Sequence, residues 1–426
     1  MRAYETSENG KTDTFAKGLF CKECGKSFPL SISNACDECF GPLEVRYDES
    51  RVESVLSRDN IRAGPSNIWR YWPLLPVSRE AGKAGLNPGF TPLRNCRNLA
   101  EELGVRELFI KDDTVNPTYS FKDRPVAVSV PKILEFGLSG VGCASTGNLA
   151  GATAAAAARY RIPCYVIIPA DTDRAKILSA LAYGAKVISV DGTYDDANRI
   201  SNLVTDRLNI GFVNINFRPY YVEGSKTLSM EFVEQLGWEE PDRVVVPMGS
   251  GALLTAVNRG LEEFRRYGIS EGRCMVSGSQ PYGCSTIADA FARGDDTIRP
   301  VLKPDTVAES LAIGNPASGP EALSIIRETG GFADAPSDSE IVEGQMLLAR
   351  REGIFSEPAG GTVIASLKRK VADGTIGRDE RVVCLITGNG LKAPSHLTGA
   401  IVGNTYEVKS EIESVLPIFG YSAVGV

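Results

Sequence analysis

The chain has 426 residues, of which 43% are hydrophobic and 23% charged, and these near-average values exclude a wholly disordered or fibrous protein. The length allows about three domains. Its 46 Lys and Arg residues against 53 Asp and Glu residues give a net charge of −7. This mild acidity argues against a nucleic-acid partner, because phosphate backbones are bound by basic faces.

The chain begins with a polar stretch, MRAYETSENGKTD, that lacks the apolar segment of a secretory signal. It contains no apolar run of about 18 residues, the length needed to cross a membrane. The 10 cysteines are dispersed along the chain rather than concentrated in a small disulfide scaffold. These features predict a reduced, cytoplasmic protein with no membrane partner.

Four of the cysteines form the first motif of the chain. Cys21 and Cys24 are separated by two residues, as are Cys36 and Cys39, and eleven residues separate the two pairs. Two such knuckles place four thiolates around one zinc ion, which would be structural because no coordination position stays open. The alternative is a ribbon that folds without metal. We assign residues 1–55 to a polar arm and this zinc-ribbon-like segment, which ends in the strand-like run Leu43–Tyr47.

A connector rich in Gly, Pro and Trp follows at about residues 60–90, and from about residue 100 short apolar runs alternate with helical patterns. This alternation predicts parallel sheet with crossover helices. The predicted strands are Leu108–Ile110, Cys164–Ile168, Val187–Val190, Phe212–Ile215, Val244–Val246 and Val383–Ile386. The predicted helices include Leu149–Tyr160, Arg174–Tyr183 and Lys226–Leu236. Ligands of open α/β sheets bind outside the carboxyl ends of the strands.

Three loops with small or polar residues follow predicted strands, and we expect them to share one site. One is Ser145-Thr146-Gly147-Asn148, whose side chains can hydrogen-bond a carboxylate or a ring atom, or simply cap a helix. Another is Thr387-Gly388-Asn389-Gly390. The third, Gly249 to Leu253, offers backbone amides at a helix start, the arrangement that binds phosphate. It is neither a P-loop nor a dinucleotide fingerprint, because Leu254 stands where that fingerprint has its third glycine.

Lys122 follows an Asn-Pro turn signal and precedes an apolar run that predicts a helix. The positive end of a helix disfavours the charge of a lysine and favours the neutral amine, which attacks carbonyl groups. Taken alone, the signal is weak, because most lysines are solvated surface charges. The single histidine, His396, has no serine elbow beside it, which argues against a hydrolase.

As a set, these motifs resemble the fold-type II pyridoxal-phosphate enzymes, the tryptophan synthase beta-like family, and within them the threonine synthases. The lysine motif is Ser120–Arg124, the asparagine loop is Ser145–Asn148, and the C-terminal motif is Leu385–Lys392. The similarity extends over most of residues 18–394. It implies an α/β enzyme of two lobes behind the cysteine ribbon: a large cofactor-binding lobe of residues 56–124 and 226–426, and a small lobe of residues 125–225.

The resemblance also implies roles for single residues. Lys122 would hold pyridoxal phosphate as a Schiff base and then shuttle protons. Asn148 would bind the ring hydroxyl of the cofactor, and Thr387 would face its pyridine nitrogen. The amides of Gly249, Ser250, Gly251, Ala252 and Leu253 would bind its phosphate, while Ser145, Thr146 and Gly147 would hold the substrate carboxylate. A homodimer is implied by the resemblance alone.

The reaction implied is that of the threonine synthases, which convert O-phospho-L-homoserine and water to L-threonine and phosphate. A phosphorylated amino-acid substrate needs cationic anchors, for which we select Arg218 and Lys226. The chain departs from the family pattern at Tyr119 and Pro125, where glycines are usual, and in its Gly-Ser-Gly-Ala-Leu phosphate loop. These departures do not change the predicted cofactor, but they leave the identity of the substrate open.

Two other kinds of function stay open at this point. One is a related enzyme that replaces a β-leaving group, as cysteate synthase does with phosphoserine, or that deaminates threonine or serine. The other is a non-catalytic zinc-ribbon binding protein on a degenerate enzyme fold, against which the intact Lys122 argues. A substrate with a leaving phosphate requires a second anion site beyond the cofactor phosphate, whereas a dehydratase does not.

Overall fold

The computed structural model describes residues 13–170, 172, 174–192, 194–394, 397 and 405–420. The chain divides into two compact units, Met1–Lys392 and Ala393–Val426. In the second unit, a short helix at Ile412–Val415 is followed by a 3-10 turn at Leu416–Phe419. His396, the single histidine, lies outside the described residues.

The strands are β1 Ala16–Cys21, β2 Ser27–Phe28, β3 Leu43–Tyr47, β4 Leu93–Asn95, β5 Glu107–Asp112, β6 Gly140–Ala144, β7 Cys164–Pro169, β8 Lys186–Val190, β9 Ile210–Phe212, β10 Arg243–Pro247, β11 Met275–Ser279, β12 Ala333–Asp334 and β13 Arg381–Ile386. The helices are α1 Glu49–Glu53, α2 Arg58–Arg62, α3 Arg79–Lys83, α4 Arg97–Leu103, α5 Asp123–Glu135, α6 Asn148–Tyr160, α7 Leu178–Ala182, α8 Tyr194–Arg207, α9 Arg218–Ser225, α10 Thr227–Gln235, α11 Ala252–Arg266, α12 Thr286–Arg293, α13 Gly319–Thr329, α14 Asp338–Glu352, α15 Pro358–Ala372 and α16 Ile412–Val415. Short 3-10 turns occur between them, the longest at Ile68–Leu74 within the predicted connector.

The strands form three sheets. β1 pairs antiparallel with β2 and β3 in the N-terminal ribbon. A six-stranded sheet has the order β12-β11-β10-β13-β5-β4, in which only the edge strand β4 runs antiparallel to its neighbour. A four-stranded, wholly parallel sheet has the order β8-β7-β6-β9. The predicted α/β class is therefore confirmed.

The central strands of the larger sheet are continuous apolar runs because helices cover both faces. Val244, Val245 and Val246 of β10 are each fully buried, as are Val382 and Val383 of β13. The parallel alignment of β5, β10, β11 and β13 places their carboxyl ends along one edge of the sheet. The loops that follow β10 and β13 are two of the three loops predicted to share a site.

The strand predicted at Phe212–Ile215 was wrong in its extent. β9 ends at Phe212, and the chain then turns back on itself. The side-chain oxygen of Asn216 accepts a bond from the backbone amide of Phe212 at 3.0 Å, and Phe217 donates to the carbonyl of Phe212 at 3.3 Å. An asparagine that bonds nearby backbone in this way closes a turn and ends the strand despite the apolar neighbours.

The four-stranded sheet is built from residues between Gly140 and Phe212, inside the predicted small lobe. The division of the chain into lobes at 125–225 stays a prediction. Among the described residues, no helix has both the length and the apolar character that crossing a membrane requires.

Candidate functional site

Lys122 lies immediately before α5, at the predicted junction between a turn and a helix. Its ammonium nitrogen is 3.0 Å from the hydroxyl oxygen of Tyr221 and 4.6 Å from the ring centre of Phe121. The backbone amide of Phe121 donates to the carbonyl of Thr387 at 2.9 Å. The lysine motif and the segment after β13 are thus in direct contact.

Asp123 and Arg124, the two residues after Lys122, hold the start of α5 in position. Both carboxylate oxygens of Asp123 accept bonds from Thr118, at 2.7 Å from its amide and 2.6 Å from its hydroxyl. Burial raises the pKa of Asp123 to about 6, although the bonds from Thr118 oppose the shift. The buried guanidinium of Arg124 binds Asp113 and Glu231, each through two nitrogens at 2.5–2.8 Å. Such bidentate pairs hold the first turn of α5 in one orientation.

Tyr119 has a φ of 63°, the left-handed backbone region that glycine adopts without strain. Its amide donates to Asn116 at 2.8 Å and its carbonyl accepts from Asn389 at 3.0 Å, so both neighbours impose this conformation. The side chain is 58% exposed. This geometry gives a physical reason for the glycine that is usual at this position, and tyrosine costs about 1–2 kcal/mol there.

Asn148 is the first residue of α6, the helix that follows β6 of the four-stranded sheet. Its side chain lies near the segment after β13. Its side-chain amide donates to both carboxylate oxygens of Glu357, at 3.1 and 2.8 Å. The backbone amide of Glu357 donates to the carbonyl of Gly388 at 2.9 Å, and a Cβ on Gly388 would lie 2.1 Å from the Glu357 carboxylate. Burial raises the pKa of Glu357, against the attraction of Asn148 and of the lysines at 392 and 122.

Glu357 was not selected from the sequence as a site residue. It precedes α15 but makes no capping bond to that helix, because its side chain reaches across to Asn148. The local signal in the sequence is a single carboxylate among small residues, in the segment from Ser356 to Gly360. A buried carboxylate with a raised pKa beside a lysine is a feature that clusters at functional sites.

The loop from Ser145 to Gly147 follows β6 and is half-buried. Asn214 holds the end of that strand, since its side-chain oxygen accepts from the amide of Ala144 at 3.2 Å and its nitrogen donates to the Ala144 carbonyl at 3.0 Å. Gly147 has a φ of 70°. The turn therefore opens at the N-terminus of α6, next to Asn148.

The loop from Gly249 to Leu253 connects β10 to α11, and Gly251 adopts a φ of 86° at the helix start. A Cβ on Gly251 would lie 2.7 Å from the carbonyl oxygen of Ser318. In the described part of the chain, no hydrogen bond uses the backbone amides of residues 249–253 as donors. Free amides at a helix N-terminus form an anion-binding cradle.

Arg218 lies beside this cradle. Its guanidinium donates to the hydroxyl of Ser318 at 2.8 Å, and the amide of Ser318 donates to the carbonyl of Ser250 at 3.0 Å. Among the described residues, no carboxylate is within ion-pair distance of Arg218, and burial lowers its pKa. Arg218 and Tyr221 are three residues apart on α9, so one face of this helix carries both the guanidinium and the partner of Lys122.

Lys226, the other predicted phosphate anchor, has its charge engaged elsewhere. Its fully buried ammonium pairs with Glu223 at 2.6 Å and with Glu263 at 2.8 Å, and it lies 4.7 Å from the ring centre of Tyr47. Two carboxylates and an aromatic face satisfy a lysine ammonium. The structure connects Lys226 to the cysteine ribbon through Tyr47 and not to the residues around Lys122.

The four cysteines of the ribbon converge as the spacing predicts. Their sulfur atoms all lie within 4.8 Å of one another, with Cys21 and Cys39 at 3.3 Å and Cys24 and Cys36 at 3.7 Å. Four thiolates around zinc, with bonds of about 2.3 Å, lie about 3.8 Å apart. The donor set and its spacing therefore fit one tetrahedral zinc ion.

Known proteins resemble the chain over most of its length. The family described as pyridoxal-phosphate dependent enzyme matches residues 85–388. A threonine synthase from Methanocaldococcus jannaschii is 42% identical over 376 residues, which cover 88% of this chain and 92% of that protein. A threonine synthase from Methanosarcina acetivorans is 40% identical over 378 residues, with the same coverage of 88% and 92%.

Solved structures resemble the fold. The processed form of threonine deaminase isoform 2 from Solanum lycopersicum superposes with a TM-score of 0.63 at 21% identity, covering 83% of this chain and 90% of that one. Maize serine racemase gives a TM-score of 0.60 at 21% identity, covering 73% and 93%. At these identities the likeness concerns the fold.

Proposed function

The chain belongs to the threonine synthase family of pyridoxal-phosphate dependent enzymes, and from this premise we propose that it converts O-phospho-L-homoserine and water to L-threonine and phosphate. The single observation that supports a phosphorylated substrate is the environment of Arg218. This partly buried guanidinium forms no ion pair with a carboxylate of the described residues, its bond to Ser318 connects it to the glycine loop, and it lies on α9 with Tyr221, the partner of Lys122.

The residues present fit pyridoxal phosphate. The unused amides of Gly249 to Leu253 form a cradle for its phosphate, and Lys122 supplies the amine for its aldehyde. Asn148 would contact the ring hydroxyl, and the hydroxyl of Thr387, which makes no bond to described residues, would face the ring nitrogen. When bound, the cofactor supplies an electron sink that stabilises negative charge on substrate carbons.

The protein contributes the proton transfers and the orientation. We assign to Lys122 the role of the base that takes and returns protons at the substrate carbons, since its side-chain nitrogen lies beside the segments that would hold the cofactor. The amides and hydroxyls of Ser145 to Gly147, at the N-terminus of α6, hold the substrate carboxylate. Arg218 anchors the leaving phosphate, as a guanidinium binds phosphate oxygens through two nitrogens at once.

The test of this function is turnover by purified protein supplied with pyridoxal phosphate. We expect threonine and inorganic phosphate to form in equal amounts from O-phospho-L-homoserine. Phosphoserine with sulfite, threonine and serine are assayed in parallel, because they are the substrates of the alternative reactions. Bound cofactor without turnover of O-phospho-L-homoserine, together with turnover of one of these, would overturn the proposal.

Replacing Arg218 by methionine keeps the volume of the side chain and removes its charge. A hydrogen bond to a charged group contributes about 1.5–3 kcal/mol, so we expect the KM for O-phospho-L-homoserine to rise roughly tenfold or more. Inhibition by inorganic phosphate should weaken by a similar factor.

The control for Arg218→Met is inhibition by L-threonine, which lacks a phosphate and should bind the variant as it binds the wild type. Equal weakening of both inhibitors would place Arg218 outside the phosphate site. Lys226→Met is unsuitable as a control variant, because it would leave the buried carboxylates of Glu223 and Glu263 without their lysine partner.

We also propose a structural zinc ion in the cysteine ribbon, supported by the spacing of the four sulfurs. One zinc per chain in metal analysis of the purified protein, lost when Cys21 and Cys39 are replaced by serine, tests this site.

By likeness to the family we propose a homodimer. We place the enzyme in the cytoplasm because none of its ten cysteines is paired in a disulfide in the structure.

A further inference from the structure

The amine of Lys122 has one hydrogen-bond partner among the described residues, the hydroxyl of Tyr221 at 3.0 Å. No described carboxylate lies within ion-pair distance of this lysine, and Glu357 is the carboxylate that it attracts through space. Tyr221 is 8% exposed, and its ring centre lies 5.7 Å from the lysine nitrogen. The hydrogen bond that Lys122 makes among the described residues is therefore to a phenol hydroxyl, and the buried carboxylate of Glu357 acts on this lysine only through space.

The position of Tyr221 is fixed from two sides. Gly224 lets α9 pack closely on α5, because a Cβ on it would lie 2.2 Å from the carbonyl oxygen of Arg124. One turn earlier on the same helix, the hydroxyl of Tyr220 donates to the carbonyl of Ser31 at 2.9 Å and accepts from the Ser31 amide at 3.2 Å. Tyr221 therefore stands on a helix that the first turn of α5 and the ribbon hold in place.

A phenol suits a lysine that changes its protonation state. The hydroxyl oxygen accepts a hydrogen bond from an ammonium, and the O–H group donates one to the lone pair of a neutral amine. The same geometry thus serves both states with no proton passing to or from the tyrosine. A carboxylate in this place would favour the ammonium and oppose its use as a base.

We propose that Tyr221 is the positioning residue of Lys122, whose hydroxyl holds the lysine amine over the reacting carbons in both of its protonation states. The inference rests on the proposed function, because it requires that Lys122 be released and act as a base during the reaction. It adds a residue that the sequence motifs did not indicate.

The experiment compares Tyr221→Phe with Tyr220→Phe, which also removes one phenol hydroxyl from α9. For Tyr221→Phe we expect kcat to fall about 10- to 100-fold with little change in KM, which is a part of the roughly 10²–10⁴-fold contribution of the base that it positions. For Tyr220→Phe we expect an unchanged kcat and a lower melting temperature, because the close packing of α9 on α5 at Gly224 remains and keeps Tyr221 in place. Crystal structures of the cofactor-free proteins should show the Lys122 amine in one place in the wild type and in Tyr220→Phe, but spread over several rotamers in Tyr221→Phe.

An ordered Lys122 in Tyr221→Phe would overturn the proposal. So would a kcat near that of the wild type, or an equal loss of kcat in both variants. The side-chain positions are read without substrate, so this part of the test stands apart from the proposed function. If the wild type fails to convert O-phospho-L-homoserine, the function falls, whereas the crystal structures still decide whether Tyr221 holds the lysine.

Discussion

Lys122→Ala is expected to lower turnover of O-phospho-L-homoserine by about 10³-fold or more, because the change removes both the covalent anchor of the cofactor and the base. The fold should remain. Lys122 is only half-buried, and its side chain makes a single hydrogen bond, to Tyr221. A partly exposed residue of this kind contributes little to stability compared with a core residue.

The measurement follows threonine and phosphate release together with the absorbance of the bound cofactor. The matched control is Lys368→Ala on α15, a lysine that is 57% exposed and pairs with Glu343 at 3.6 Å. Exposed pairs of this kind contribute about 0–1 kcal/mol, so this variant should behave as the wild type. Turnover by Lys122→Ala within about tenfold of the wild type would remove Lys122 from the chemistry, since tenfold corresponds to only about 1.4 kcal/mol of barrier.

The loops of the candidate site could be predicted from the sequence because each is a local pattern. A strand followed by small residues and a helix start is visible at Gly249–Leu253, and the turn signal before Lys122 is equally local. The parallel sheet then brings the strand ends to one edge, as the alternation of elements predicts. The confirmed part of the fold therefore follows from patterns that span fewer than about 20 residues.

Glu357 and Tyr221 could not be found in this way, since each acts through a partner far along the chain. Asn148 and Glu357 are 209 positions apart, and Lys122 and Tyr221 are 99 apart. No periodicity shows which helix face will meet which loop. Both residues become visible only once the packing of α9 and α15 is known.

The ion-pair partners of Lys226 could not be predicted from its charge alone. One signal was present in the sequence: Glu223 lies three residues earlier, the spacing at which opposite charges on a helix pair. The second partner, Glu263, belongs to α11 and is set by tertiary packing. A buried lysine with two carboxylates stabilises the contact with the ribbon and has no free charge to offer to a phosphate.

A second buried ion cluster supports the lysine motif, and Glu231 is its centre. The carboxylate of Glu231 is fully buried and binds Arg124 at 2.5 and 2.7 Å and Lys111 at 2.7 Å. It also accepts from the amides of Phe90 and Thr91, at 2.7 and 3.3 Å. Burial alone would raise the pKa of Glu231, but the two cations outweigh this effect and bring it to about 2.

Glu231→Gln is expected to lower the free energy of unfolding by about 3–5 kcal/mol at pH 7, because it leaves the buried Lys111 without its ion-pair partner and Arg124 with Asp113 alone. The glutamine amide would also point a donor at groups that are themselves donors. A loss of this size is a large part of the 5–15 kcal/mol that is typical of a domain. Urea unfolding of both proteins measures it, with Glu343→Gln, on an exposed pair, as the control.

The pH dependence of this difference tests the electrostatic cause. The pKa of Glu231 is lowered from 4.5 to about 2 in the folded protein, so the folded state favours the ionised carboxylate. Its stabilising contribution is complete above pH 4.5 and is lost as the pH falls towards about 2. The stability gap between wild type and Glu231→Gln should therefore be constant from pH 7 to about pH 5 and narrow below that. A gap that stays constant down to pH 3 would show that packing, not charge, accounts for the loss.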